Sequence, residues 1–167
     1  MAGVWVWVWE SDVLDGQVHP VPVGGLLADE GVYAVAWGTE PTREEDGVVP
    51  IPGRDPRRTG CATAWVTGVV TALVEDGSDR GHIGQRGLLV AGGTPLICRT
   101  WRRRREQLRW GDRVTLPCSF ELVAGSDWSL VELPDGASAD WRVREALRLE
   151  GPTGVLDHLL DLEPVSR

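Results

Sequence analysis

The middle of the chain concentrates arginine and tryptophan, two residue types that together bind anionic and planar groups. Seven of the 17 arginines lie between Arg99 and Arg113, opposed only by Glu106 and Asp112, which leaves a local charge of +5. Guanidinium forks bind phosphates and carboxylates, and indole rings stack on flat groups. The residues that we predict to bind a partner are Arg99, Trp101, Arg102, Arg103, Arg104, Arg105, Arg109 and Trp110.

The charge balance favours an acidic protein surface as that partner. The net charge is −8, so the chain outside the cluster carries −13 and repels long polyanions and anionic membranes. Single-stranded nucleic acid is the alternative partner, because arginines and tryptophans alternate in the cluster. In a third interpretation, Arg102 to Arg105 form the solvated side of a helix and pair with the chain's own Asp and Glu residues.

Trp5, Trp7 and Trp9 form a second candidate site near the start of the chain. They recur every ~7 Å along one face of a predicted strand, which makes them a candidate ligand platform. Burial in the core is the simpler explanation, because soluble proteins rarely expose a row of large apolar side chains. A Trp-lined pocket belonging to an enzyme or a small-ligand protein is a further alternative.

Catalytic signatures are missing from the sequence. The chain has no lysine, which excludes Schiff-base chemistry and the P-loop lysine. It has no H-E-x-x-H motif and no C-x-x-C pair, so we predict no metal site, no cofactor and no catalytic residue. Cys98 and Cys118 lie in strand-like segments and are expected to be buried, unreactive thiols.

Alternating side chains predict that strands position these residues. Residues 4–9 alternate valine with tryptophan, which places the valines on one strand face and the tryptophans on the other. Residues 61–75 are long for one strand, so we expect a bend at Gly68. The other predicted strands are residues 17–23 (at an edge or irregular), 31–38, 88–90 and 95–98 around a Gly92-Gly93 turn, 113–124 and 128–133. Residues 141–149 and 155–162 fit a strand or a helix, and we favour strands in both.

Three segments are expected to depart from strand structure. Thr100–Arg109 is predicted to be a short helix with Thr100 as its N-cap. Residues 39–60 mix four prolines with charged residues and predict a long loop. The Gly-rich residues 77–87 lack a following Lys-Ser/Thr pair, so we interpret them as a mobile connection and not as a nucleotide site.

The fold class that follows is all-β with at most one or two short helices. Over residues 59–133 a long bent strand, a hairpin, a short helix and a strand introduced by Gly111-Asp112-Arg113-Val114 succeed one another. This order resembles the OB-fold and related small barrels, which implies an OB-like β-barrel with extra N-terminal strands. We expect residues 1–167 to form one composite domain, because the stretch before the loop is too short to fold alone.

Composition indicates where such a protein works. The absence of Lys and the abundance of Arg and Trp are typical of GC-rich codons and predict a high-GC bacterial source. The first residues lack the basic start of a signal peptide, and no uncharged run reaches the ~20 residues of a membrane span. With three unpaired-looking cysteines, these features predict a cytoplasmic, non-catalytic binding or accessory protein that uses the arginine cluster.

Overall fold

The computed structural model describes residues 3–9, 13–14, 22–123, 139–150 and 156–165 of the chain. Helical structure in these ranges is limited to residues 13–14, α1 (Pro56–Thr59) and a 3₁₀ turn at Arg104–Glu106. The fold is all-β, which confirms the predicted class. Its nine described strands are β1 (Val4–Val8), β2 (Leu26–Ala36), β3 (Gly47–Pro50), β4 (Thr63–Asp79), β5 (His82–Ala91), β6 (Thr94–Arg103), β7 (Arg113–Val123), β8 (Ala139–Glu150) and β9 (Leu156–Val165).

The strand pairs form two closed rings of strands, which we call the first and the second circuit. In the first circuit β4 pairs with β5, β5 with β6, β6 with β2, β2 with β7, and β7 again with β4. The second circuit runs through β2, β7, β1, β9 and β8 and shares the β2–β7 pair. The β2–β6 and β1–β7 pairs are parallel, and the others in both circuits are antiparallel. Because the first circuit includes β2, it extends beyond the predicted 59–133 segment.

Alternation along the strands builds the core. On β1 the valines at positions 4, 6 and 8 are buried, whereas Trp5 and Trp7 are half-buried, so the predicted separation of faces is confirmed. On β2 the small side chain of Ala34 is buried, whereas the larger side chains of Tyr33 and Val35 are half-buried on the other face. Trp141 and Phe120 are the largest fully buried side chains of the described residues.

The long strand β4 changes neighbours next to Gly68, where the sequence predicts a bend. Thr63–Val69 pairs with β7, and the strand pairs with β5 from Val69 onward. A Cβ atom on Gly68 would lie 2.3 Å from the carbonyl oxygen of Val90, so only glycine permits this approach of the two backbones. One continuous strand thereby serves both sides of the first circuit.

The predicted helix at Thr100–Arg109 is wrong. β6 continues to Arg103 and is followed by a single 3₁₀ turn. A ten-residue helix with four consecutive arginines has only Trp101 and Leu108 for an apolar face, and short helices need such a face to be stable. As a strand, the same residues pair with β5 as far as Arg103 and with β2 as far as Thr100.

Other predictions for the connections and the tail have mixed outcomes. The Gly-rich residues 77–87 are not a mobile connection: β4 and β5 continue into them and leave only Arg80 and Gly81 as the turn. Residues 39–60 include β3 and α1 and are therefore not all loop. The strands favoured at residues 141–149 and 155–162 are confirmed as β8 and β9. Of the predicted strand 17–23 only residues 22–23 are described, and they are not in a strand; residues 128–133 lie outside the described ranges.

The hairpin predicted at Gly92-Gly93 is confirmed. β5 ends at Ala91 and β6 begins at Thr94, so two residues form the turn. Both glycines have positive φ, 57° and 84°, as two-residue hairpin turns require. None of the described residues belongs to a helix long and apolar enough to cross a membrane.

Candidate binding groove beside Trp101

The outward face of β6 presents Trp101 and two of the predicted arginines. Cys98 and Thr100 are buried, whereas Arg99, Trp101 and Arg103 alternate with them on the exposed face. Because every second side chain of a strand lies on the same face, these three recur every ~7 Å. The strand that replaces the predicted helix therefore aligns an indole between two guanidinium groups.

The indole of Trp101 lies against the backbone of β5. Its partner in the register is Gly84, and a Cβ atom there would lie 2.9 Å from the Trp101 ring and 2.8 Å from the carbonyl oxygen of Asp76. The ring occupies the space that a side chain at position 84 would need. Trp101 nevertheless remains 55% exposed, so most of it is open to a partner.

Two open concavities of about 310 and 200 Å³ adjoin at Ala36 and Trp101, and we call them together the Arg–Trp groove. They lie over β2, β6 and β5. Trp37, at one end, is 50% exposed and has the guanidinium of Arg54 5.8 Å from its ring centroid. The residues lining the groove are Val35, Ala36, Trp37, Gly38, Thr39, Asp76, His82, Gly84, Arg99, Thr100, Trp101, Arg102, Arg103 and Glu106.

Arg102 fixes one wall of the groove. Its guanidinium donates hydrogen bonds to the carbonyl oxygen of Gly38 at 2.7 Å and to Oγ1 of Thr39 at 2.9 Å. These bonds join the end of β6 to the segment that follows β2. Arg102 thus belongs to the predicted set, but its role in the free protein is to position the wall.

Most other arginines of the cluster lack an acidic partner. The side chains of Arg99, Arg103 and Arg104 make no hydrogen bond or ion pair with the described part of the chain. Arg105 lies 3.5 Å from Glu106, and both are exposed, which makes the pair weak. Arg113 is the exception, because its guanidinium lies 2.9 Å from the Asp46 carboxylate. Internal pairing with described residues therefore neutralises Arg113 but not the arginines on the outward face of β6.

The last two predicted residues, Arg109 and Trp110, lie elsewhere. Leu108 is buried and anchors this segment, since its backbone N–H donates to the Gln85 side chain at 2.7 Å and its carbonyl accepts from it at 3.0 Å. The Trp110 indole donates to the carbonyl of Thr71 on β4, at 3.0 Å, and β5 separates β4 from β6. Neither Arg109 nor Trp110 lines the groove. Arg104 and Arg105, in the 3₁₀ turn, do not line it either, so the structure divides the predicted set.

The tryptophans of the β1 segment are neither core residues nor a flat platform. Trp5 and Trp7 are half-buried at the edge of the core, and Trp9 is 47% exposed. The rings of Trp7 and Trp9 meet edge to face at 63°, with centroids 5.7 Å apart, so they do not share one stacking plane. The guanidinium of Arg57 lies 5.1 Å from the centroid of the Trp5 ring and covers part of it.

Sequence reasoning did not identify Trp37 and His82 as site residues. Strand alternation places Trp37 on an outward face, and the glycines around His82 suggest a loop. The missing information is the parallel pairing of β2 with β6, which sets Ala36 beside Thr100. No local pattern carries a contact between residues so distant in the chain.

The two buried cysteines carry thiols that are not activated. Burial raises the pKa of the Cys98 thiol to about 12 and also raises that of Cys118, so both are protonated at neutral pH. Cys61 is exposed, and all three cysteines are free. Within the described ranges, no three His, Cys, Asp or Glu residues are close enough to hold a metal ion. The groove offers guanidinium groups for anions and indoles for planar or apolar groups.

Comparison with known proteins assigns no family to the chain. Comparisons with protein-family models, with curated proteins and with solved structures found no match for the chain.

Proposed function

We propose that this chain is a non-catalytic binding protein that recognises an acidic segment of another protein through the Arg–Trp groove. The observation that carries the proposal is the exposed Trp101 between Arg99 and Arg103, two arginines without a described acidic partner. Tryptophan and arginine are the residue types that contribute most at protein interfaces. The paired backbone of β6 sets the spacing of these groups before a partner binds, which lowers part of the entropic cost of binding.

The distribution of charge supports a short acidic partner. Two carboxylates, those of Asp76 and Glu106, line the groove, and the Asp76 carboxylate already binds Arg86 at 3.1 Å. The chain outside residues 99–113 carries −13. The excess of negative charge repels a long polyanion more than a short acidic segment, whose contacts can be confined to the arginines.

Single-stranded nucleic acid is the second candidate partner, and the strand order of the first circuit favours it. The order β4, β5, β6, β2, β7, with β6 parallel to β2, resembles the OB-fold, except that β2 precedes the other strands in the chain. Oligonucleotides bind OB-folds on the face of the second and third strands. The corresponding strands here are β5 and β6, where Trp101 offers a surface for stacking a base.

Fluorescence anisotropy with two labelled probes tests the proposal. The probes are a peptide rich in Glu and Asp with one central Phe, and an oligothymidine of about 12 nucleotides. The test variant is Arg99→Gln/Arg103→Gln, and the matched control, Arg58→Gln/Arg142→Gln, removes the same charge from exposed arginines outside the groove. Titrations at about 50 and 200 mM salt separate specific contacts from general attraction.

We expect the peptide to bind and the test variant to lose roughly tenfold in affinity, whereas the control stays near the native value. Tighter binding of oligothymidine than of the peptide, with a log–log salt slope of about −0.7 per phosphate contact, would favour the second candidate. Equal losses in both variants would show that net charge, and not the groove, causes the binding.

A further inference from the structure

A cavity of about 360 Å³ lies beside β1, and we call it the β1 pocket. It shares no lining residue with the Arg–Trp groove. Its volume is within the range of sites that hold small molecules. Its walls are mainly apolar and include Trp5, Val48, Pro50, Ile51, Pro56 and Phe120.

The outer wall of the pocket, residues 50–57, is held in one conformation. Pro50, Pro52 and Pro56 have restricted φ angles, which limits the motion of this wall. α1 is capped at both ends: the Asp55 side chain accepts a hydrogen bond from the Arg57 backbone N–H at 3.1 Å, and the left-handed Gly60 closes the C-terminus. A wall with few alternative conformations favours a pocket that exists before its ligand binds.

Two buried polar atoms beside this pocket have no hydrogen-bond partner in the described residues. One is Oγ1 of Thr63, and the other is Nε1 of Trp7. Thr63 lines the β1 pocket and also an adjoining apolar cavity of about 240 Å³, which Trp7 lines. Buried polar groups are normally satisfied, so an unsatisfied pair at a cavity indicates a missing acceptor. Of the two residues, only Thr63 lines the β1 pocket itself, so its hydroxyl is the donor for a ligand oxygen there.

The charge at the pocket is already neutralised. Arg57 lines it, but its Nε donates to both carboxylate oxygens of Glu145 at 3.1 Å, and its Nη1 lies 4.0 Å from the Asp55 carboxylate. The same guanidinium stacks on Trp5. No free cation among the described lining residues remains for an anionic ligand.

We infer that the β1 pocket binds a neutral, planar, mainly apolar small molecule that carries a carbonyl or hydroxyl oxygen. The apolar walls and Trp5 contact the planar body, and the Thr63 hydroxyl donates a hydrogen bond to the oxygen. This inference is independent of the protein partner proposed for the Arg–Trp groove, because the two sites have no residue in common.

Binding of 6-propionyl-2-(dimethylamino)naphthalene tests the inference. This neutral dye has a flat body and one carbonyl, and its emission shifts to the blue in an apolar site. Val48→Trp fills the pocket, and Val49→Trp is the matched control, because Val49 is the next residue of β3 and does not line the cavity. Thr63→Val removes the proposed donor with little change of shape.

We expect a dissociation constant on the order of 10 μM for the native protein. Val48→Trp should weaken binding at least tenfold, Thr63→Val roughly fivefold, and Val49→Trp not measurably. An absence of dye binding by the native protein, or equal affinities of the two tryptophan variants, would overturn the inference.

A measurement on the native protein alone avoids dependence on the variants' folding. In ¹H–¹⁵N spectra with labelled tryptophan, the dye should shift the indole signals of Trp5 and Trp7 and leave those of Trp101 and Trp110 in place. Shifts confined to Trp101 or Trp110 would locate the dye elsewhere and contradict the inference. Peptide binding at the Arg–Trp groove is measured separately, so either proposal can fail without the other.

Discussion

In the β1 pocket, Arg57 stacks on Trp5 and donates hydrogen bonds to Glu145, whereas in the Arg–Trp groove Arg99 and Arg103 flank Trp101 without a described acidic partner. Both regions thus combine arginine with tryptophan. In the first, a carboxylate on β8 neutralises the guanidinium and makes it part of the wall. In the second, no described carboxylate pairs with the guanidinium groups, and they stay exposed to solvent.

This difference shows that residue type alone does not decide whether an arginine is part of the framework or of a binding surface. The deciding factor is a carboxylate on a neighbouring strand. Arg57 meets Glu145, which is 88 residues away in the chain. Arg99 meets Arg86 across β5 and β6, and the nearby Asp76 binds Arg86.

Gly84→Ala should have the largest effect on stability, and it disturbs the Arg–Trp groove. The new methyl group would lie 2.8 Å from the Asp76 carbonyl oxygen and 2.9 Å from the Trp101 ring, so either the backbone or the indole must move. We expect a loss of about 1–3 kcal/mol in the free energy of unfolding, measured in urea, and weaker peptide binding.

Gly38→Ala is the control for this change. Gly38 also lines the groove, but a Cβ atom there meets only Pro117, at 3.4 Å, which is an ordinary contact. Its stability should stay near that of the native protein. Similar losses in the two variants would mean that the packing of Trp101 on Gly84 is not what costs stability.

Asp161→Asn should stabilise the framework on the β1 side. Desolvation raises the pKa of the Asp161 carboxyl above its usual value of 3.8, because one oxygen is buried without a hydrogen bond. Arg144, 3.4 Å from the other oxygen, lowers the pKa and offsets only part of this rise. The raised pKa means that ionisation at pH 7 destabilises the folded state relative to a neutral side chain. The asparagine variant should therefore have the higher thermal midpoint at pH 7.

The pH dependence provides the check for Asp161. As the pH falls through the raised pKa toward 3.8, the native carboxyl takes up its proton and the advantage of the variant should shrink. A lower midpoint of the variant at pH 7 would show that the Arg144 contact outweighs the desolvation of the carboxylate.

Glu145→Gln should have the smallest effect and the opposite pH dependence. The hydrogen bonds from Arg57 lower the pKa of Glu145 below its usual value of 4.5. Its contribution to stability is therefore present above that pH and is lost as the pH falls through the lowered pKa. We expect a small decrease of the midpoint at pH 7 that disappears in acid.

Glu106→Gln is the matched change in the groove. Glu106 approaches the exposed Arg105, at 3.5 Å, so its replacement should leave the midpoint at pH 7 near the native value. If the two glutamine variants behave alike, the distinction between a neutralised and a free arginine is not supported.

Local pattern was sufficient where a strand has one buried face. The alternation of valine and tryptophan predicts which side of β1 is buried, and Gly68 marks the point next to which β4 changes its partner strand. Both depend on neighbours in the chain, so a short window of sequence contains the information. The same reasoning failed for Thr100–Arg109, where helix and strand signals compete and the pairing partners β5 and β2 decide the outcome.

The candidate site was likewise predictable only in part from local sequence. Composition alone identifies a basic, tryptophan-containing segment in an acidic chain. It does not distinguish Arg102, which holds the wall through Gly38 and Thr39, from the exposed Arg103 beside it. Composition also does not indicate that Arg109 and Trp110 lie away from the groove. Their positions depend on the anchoring of Leu108 by Gln85.

The sequence by itself therefore determined the all-β class, the alternation of faces and the presence of a concentrated positive charge, because these properties come from local periodicity and composition. Only the tertiary structure decided which arginines are neutralised, which tryptophans remain exposed and where the cavities lie. The physical reason is that charge pairing, burial and cavity shape each depend on residues brought together from distant strands, such as Arg57 with Glu145 and Ala36 with Thr100.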